Sequence, residues 1–219
     1  MNLLRRIRRP RPAPTLASLD AYALWAAQYP PTAHNPLMQV EEQAISALLP
    51  DVSGAVAVDL AAGTGRYGLL LRERGARRVI ALDNSPHMLA GSPLPFCVLS
   101  TMEAIPLASR AVDVLICGMA VGHLPRLDAV FAEIGRVLQP GGAALVSDFH
   151  PILHFTGARR TFNAQGKTYA VEHYPHLYGE FHAAASAARL RIDAVREPIL
   201  SGHAGGAPVA LVLRLIAVR

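Results

Sequence analysis

Between residues 55 and 149, short apolar runs alternate with helix-patterned stretches, and this alternation constrains the fold more than any other feature of the chain. Residues 55–60 are an apolar run that ends on a glycine-rich turn, so they read as a buried strand. Residues 79–82, 96–99 and 112–117 repeat the pattern, the last apolar after Asp113, and residues 143–149 make a fifth run. Between the runs, residues 66–74 read as a helix stopped by Gly75. Ser85 can cap a short helix with Pro86 at its first position. Residues 127–138 place Leu127, Val130, Phe131, Ile134, Val137 and Leu138 on one helical face before Pro140-Gly141-Gly142 breaks the pattern. Strands alternating with helices predict a parallel sheet with right-handed crossovers.

The flanks read differently. Residues 16–49 have a helical pattern interrupted around Pro30, Pro31 and Pro36, each a helix boundary. Residues 150–178 are rich in His, Tyr, Phe and Gly and read as an insertion or lid. A helix over 179–188 and strands over 190–195 and 209–218 complete the reading. The expected organisation is a basic, disordered arm at 1–14 and one domain over 15–219, with a helical cap at 15–50 and a lid at 150–182.

Composition narrows the class. Hydrophobic residues are 52% of the 219, which suits a globular chain. No apolar stretch approaches the roughly 18 residues that cross a membrane, and no apolar segment follows the basic start as in a secretory leader. Cys97 and Cys117 lie inside apolar runs and read as free buried thiols, which suits a reducing, cytoplasmic setting. The formal charge of +5 suggests nucleic acid, but Arg5, Arg6, Arg8, Arg9 and Arg11 account for the whole excess. The basicity belongs to the arm, so nucleic acid is not the expected partner of the fold.

Asp59-Leu60-Ala61-Ala62-Gly63-Thr64-Gly65 stands where the first strand meets the first helix. Its glycines let the backbone turn tightly and approach a ligand at the carboxyl ends of the strands, where open α/β sheets bind cofactors. Gly63-Thr64-Gly65-Arg66-Tyr67-Gly68 also matches G-x-G-x-x-G, which alone fits a nicotinamide enzyme equally well. Asp83, at the end of the second strand, can accept hydrogen bonds from ribose hydroxyls in either case. Asp59 separates the readings. A dinucleotide loop presents N–H groups to an anionic pyrophosphate, which a carboxylate at the strand tip would repel. S-adenosylmethionine (SAM) carries a sulfonium and an ammonium, which a carboxylate attracts.

With these residues in place, the chain resembles the class I SAM-dependent methyltransferases, nearest to their ubiquinone/menaquinone-type and malonyl-acyl-carrier-protein-type members. Val58 to Gly65 looks like the family's first motif. Val79 to Leu89 looks like its second, with Asp83 as the ribose acid. Glu103-Ala104-Ile105-Pro106-Leu107 with Asp113-Val114-Leu115-Ile116 resembles the third region and fourth strand, and Arg136 to Gly142 the turn before the fifth. The resemblance implies a Rossmann-like, doubly wound, seven-stranded sheet, mostly parallel with an antiparallel last strand. It implies SAM as cofactor, held by Tyr29, Asp59, Ala61, Gly63, Gly65, Asp83, Asn84, Met88, Thr101, Met102, Glu103 and Gly118. Thr101 stands where the family often has an acid near the adenine amine, so Thr101, the Met102 backbone or Glu103 takes that contact.

Methyl transfer is an in-line displacement in which the protein positions two reactants and excludes water, and a base is needed only if the acceptor must lose a proton. His123 and His150, which follow the fourth and fifth strands, are the candidate bases near neutral pH, against a reading in which each only orders a loop. The pairs His150/His154 and His173/His176 have spacings that could chelate, but no cysteine or acid cluster completes a set, and no metal is expected. Phe155, Phe162, Tyr169, Tyr174, Tyr178 and Phe181 could line a pocket for a planar or apolar acceptor or simply pack the lid. Tyr22, Trp25 and Tyr29 precede the sheet, where the resemblance implies a helix closing over the cofactor. The expected partner is a small-molecule acceptor methylated on O, N or C; the residues leave the oligomeric state, a homodimer included, open. The rival readings are an RNA methyltransferase anchored by its arginine arm, a nicotinamide oxidoreductase, and a non-catalytic relative that binds partners.

Overall fold

The computed structural model describes residues 12–200 and 206–218, so most of the basic arm lies outside the described residues. The chain opens with a two-residue strand, β1 (Thr15–Leu16), then helix α1 (Ser18–Trp25), a 3-10 turn (Ala26–Gln28) and helix α2 (Pro36–Leu48). The prolines act as boundaries here: Pro36 opens α2, whose Asn35 side chain accepts from Met38 N at 2.9 Å. The alternation follows as β2 (Val56–Leu60), α3 (Arg66–Glu73), β3 (Arg78–Asp83), α4 (Pro86–Leu89), β4 (Cys97–Leu99), β5 (Val112–Gly118), α5 (Asp128–Val137) and β6 (Leu138–Phe149). Then come α6 (Pro151–Phe155), β7 (Thr161–Ala164), β8 (Lys167–Val171), α7 (Tyr178–Ala187), β9 (Leu190–Arg196) and β10 (Ala210–Ala217).

Seven strands form the main sheet in the order β4-β3-β2-β5-β6-β10-β9. The first five pair in parallel, and β10 runs antiparallel to both its neighbours. Helices cover both faces. On one, Ile45 and Leu48 of α2 and Tyr67 and Leu71 of α3 pack on Ala57, Val79, Val114 and Ile116. On the other, Phe131 and Ile134 of α5 and Phe181 and Ala184 of α7 pack on Val58, Leu115, Val146 and Leu213. This is the Rossmann-like arrangement that the resemblance implied, on the parallel sheet expected from the pattern. The chain winds outward from β2 to β4 and then returns to β5 on the other side of β2. That reversal opens a crevice at the carboxyl ends of β2 and β5.

Two expectations need correction. The strand expected from 143 begins at Leu138, and Pro140-Gly141-Gly142 does not end the element. Val112 pairs with Leu138 and Val114 with Ala143, so residues 139–142 bulge out of one continuous strand. Gly142 is required there, because a Cβ would lie 2.9 Å from Gln139 O and 3.0 Å from Asp113 O. Second, the segment read as an insertion or lid, with no strand expected in it, contains a hairpin. Ala164 pairs with Lys167 across Gln165-Gly166, both with positive φ (51° and 72°), which is the geometry of a two-residue hairpin turn. Strand β8 also pairs in parallel with β1, giving a second, three-stranded sheet. Trp25 stacks on Phe162 at 4.8 Å, and Ala21, Phe162, Ala164 and Val171 share a small buried cluster, so α1 and the hairpin form one layer.

Candidate functional site

A cavity opens at the crevice, with walls drawn from the β2–α3 loop, the ends of β3 and β4, the segment after β5, the N-terminal helices and the base of the hairpin. The β2–α3 loop reaches into it by a run of left-handed residues: Ala61 (φ 55°), Gly63 (φ 55°) and Gly65 (φ 91°). Ala61 pays a steric penalty that glycine would not, and Met119 (φ 58°), just past β5, does the same on the opposite wall. Gly65 does not line the cavity. It is the N-cap of α3, and a Cβ there would meet Ser92 Oγ at 2.7 Å and Leu94 Cδ1 at 3.0 Å.

Two buried carboxylates face the cavity. Asp59 accepts from Gly68 N at 2.6 Å, and burial pushes its carboxyl up to about 7 against that bond and the Arg66 charge. Asp83 accepts from Gly63 N at 2.7 Å and Ser85 N at 2.8 Å, tying the first loop to the end of β3; burial raises it too. Two acids held short of easy ionisation make a site that favours a cation.

The rest of the predicted set divides. Tyr29, Asn84, Met88, Met102 and Gly118 line the cavity with Asp59, Ala61, Gly63 and Asp83. Thr101 and Glu103 do not; Ser100, one residue earlier, takes that wall, its hydroxyl donating to Thr101 O and Ala104 O. Gly118 admits the Tyr67 ring, whose Cε2 would lie 2.1 Å from an added Cβ. His150 is not brought to the cavity. It caps α6 through Ile152 N and faces Glu197 Oε1 at 3.0 Å, in a neighbouring cleft.

His123 does line the cavity, but in a form unsuited to taking a proton. Burial, with the Arg160 charge, drives its pKa down to about 3. Its Nδ1 lies 3.1 Å from Glu172 O, so Nδ1 carries the hydrogen, and Nε2 accepts from Tyr22 OH and Arg160 Nη1, each at 3.1 Å. Of the histidines with chelating spacing, His173 Nε2 bonds Asp148 Oδ1 at 3.0 Å, and His176 bonds Leu124 O at 2.9 Å. The proposed aromatic lining is dispersed: Phe162 packs under Trp25, Phe181 against Phe131, and Phe155 is exposed.

Sequence reasoning missed Thr64, Arg66, Tyr67, Met119 and Arg160 as lining residues. Arg66 and Tyr67 were within reach, since they complete the glycine motif. Arg160 lies in a segment without periodicity and carried no signal. Arg66 is anchored by Glu41 (3.0 Å) and Glu42 (3.3 Å) of α2, and Glu41, fully buried, also accepts from Ser147 Oγ of β6.

A SAM molecule fits this donor set. Thr64 Oγ1 and Tyr67 OH are buried at the cavity without a hydrogen-bond partner, so polar groups there await a ligand. Asp59 complements its cationic end and Asp83 its ribose hydroxyls, and a Cβ on Gly63 would crowd Met88 Cε at 3.0 Å.

Comparison with known proteins agrees with this geometry. Residues 58–146 match the family described as a methyltransferase domain. The chain is 37% identical over 100 residues to the malonyl-[acyl-carrier protein] O-methyltransferase of Methylococcus capsulatus, covering 42% of this chain and 36% of that one. It is 35% identical over 102 residues to the ubiquinone/menaquinone biosynthesis C-methyltransferase UbiE of Rubrivivax gelatinosus, covering 44% and 40%. The chain thus spans less than half the length of these curated relatives. A crystal structure of an S-adenosylmethionine dependent methyltransferase from Mesorhizobium loti superimposes with a TM-score of 0.68 over 81% of this chain and 97% of that one; at 21% identity the likeness is one of fold.

Proposed function

We propose, from the premise that this chain belongs to the class I methyltransferase superfamily, that it transfers a methyl group from SAM to a small-molecule acceptor. The observation that carries the reading is the pair of buried acids at the ends of β2 and β3, Asp59 and Asp83, which bond the backbone of the glycine loop and of the helix it opens. A site for an anionic dinucleotide would not place Asp59 at the strand tip.

SAM, when bound, supplies an electrophilic methyl on a good leaving group. The chain's residues supply position and dryness. Asp83 and Asn84 would hold the ribose, Met88, Ser100 and Met102 the adenine, and Asp59, Thr64 and Tyr67 the amino-acid end. Tyr22 and Tyr29 close the cavity from the N-terminal layer, which excludes water from the reacting atoms. We assign His123 a positioning role: its neutral ring holds the Tyr22 hydroxyl and the Arg160 guanidinium in place. Among the described residues on the cavity wall His123 takes up no proton, and Asp59 is given to the cofactor, so an acceptor that arrives already nucleophilic suits the site. The named relatives methylate an oxygen in one case and a carbon in the other, and the choice of atom belongs to the acceptor.

The test is calorimetric titration of the protein with SAM and, separately, with NAD(H), beside an Asp83→Ala variant. Micromolar SAM binding that weakens about 10- to 100-fold in the variant, the value of losing hydrogen bonds to a charged group, supports the reading. NAD(H) binding without SAM binding overturns it.

A further inference from the structure

Arg160 is a partly buried cation where three cavities meet. Its guanidinium lines the cofactor cavity and the two clefts beside it, one walled by Phe149 and His173, the other by Trp25 and Asn35. Only Nη1 is engaged, donating to Met119 O at 2.8 Å and to His123 Nε2 at 3.1 Å. Among the described residues it joins no ion pair. The nearby acid, Asp148, is spent elsewhere, bonded by His173 Nε2, Gly122 N and Phe149 N. Arg66, on the same cavity, is neutralised by two glutamates.

The surroundings of Arg160 are apolar and aromatic, with the Tyr22 ring at 5.8 Å and the Phe149 ring at 5.3 Å. A partly buried guanidinium without a counter-ion keeps a free fork that matches a planar anion. The group beside it, His123, holds no charge to compete for that anion. We infer that the acceptor carries a carboxylate, received by the free edge of the Arg160 guanidinium at the junction between the cofactor cavity and its two neighbouring clefts. A carboxylate also suits a cavity whose histidine takes up no proton, because it is ionised at neutral pH. The inference rests on the methyltransferase reading for what is transferred, but not for the binding of the anion.

The test uses the full chain saturated with S-adenosylhomocysteine and titrated calorimetrically with two carboxylates, octanoate and benzoate, and with their uncharged amides, octanamide and benzamide. At least one carboxylate should bind, its amide at least tenfold more weakly. Arg160→Gln should lose at least tenfold in carboxylate affinity, Arg160→Lys should retain most of it, and both should keep the wild-type S-adenosylhomocysteine affinity. Amides that bind as tightly as the acids, no binding by either acid, or an unaffected Arg160→Gln variant would overturn the inference. So would a loss of S-adenosylhomocysteine affinity in Arg160→Gln, which would give the guanidinium to the cofactor's own carboxylate. If S-adenosylhomocysteine does not bind the wild type, the methyltransferase reading fails, and the same carboxylate titrations on the free protein still decide the role of Arg160.

Discussion

Asp59 is the residue on which the reading turns, and its burial has a measurable consequence. In the fold its carboxyl is raised from the ordinary 3.8 to about 7, so folding favours the protonated form. Stability from that form is fully present below about pH 4 and is lost as pH rises through 7. A cationic cofactor reverses the preference: it draws Asp59 into its charged form, so binding releases a proton near neutrality. SAM affinity should therefore gain with pH, by about tenfold between pH 6 and 8 for one group titrating near 7. Asp59→Asn keeps an acceptor for Gly68 N but cannot ionise. The ratio of variant to wild-type Kd should grow about tenfold across that interval, a comparison that cancels the titration of SAM itself and of Asp83. A ratio that stays flat from pH 6 to 8 would place Asp59 outside the cofactor's field.

At the scale of elements, the parallel half of the sheet was legible because most of its strands hold a compact apolar run with turn chemistry at its ends. Residues 139–142 misled because Pro-Gly-Gly ordinarily ends an element, whereas here it bulges between two paired stretches of β6. The hairpin carried one usable signal, Gln165-Gly166 between alternating residues, which a reading of residues 150–178 as an insertion or lid passed over. Nothing in the sequence pairs β1 with β8, since a two-residue strand 155 positions from its partner has no local pattern. The same is true of Glu41, which on an amphipathic reading of α2 is one more polar residue. In the fold it is fully buried and latches α2 to Arg66 of α3 and Ser147 of β6. Glu41→Leu removes one partner of a buried pair and leaves Arg66 with Glu42 alone. The expected cost is about 3 kcal/mol, the lower end for breaking such a pair, read from the urea unfolding midpoint. A midpoint equal to wild type would mean that Glu42 carries the latch alone.

Across the whole molecule, the cofactor motifs were visible because they are local, while the wall we propose for the acceptor is assembled from remote pieces. Tyr22, His123 and Arg160 come from three separate stretches and meet only because α1 and the hairpin dock as one layer beside the crevice. That docking makes the two pieces interdependent. Phe162 is buried between Trp25 and Tyr169, and its truncation removes the stack that joins them. A buried Phe→Ala change costs about 3–5 kcal/mol where the site cannot collapse. The loss should fall on the layer rather than on the main sheet, whose core shares none of the residues of the small cluster. In Phe162→Ala, hydrogen exchange should therefore quicken together in Ser18–Trp25 and in Lys167–Val171, although some 140 residues separate them. Amides of β2, β5 and β6 should keep their protection. Since Arg160 directly precedes β7 and Tyr22 lies on α1, the variant should also bind any acceptor more weakly than it binds SAM. Faster exchange in the hairpin alone would mean that α1 holds its place without it, and the acceptor side would then have to be assigned to α1 and the segment after β5.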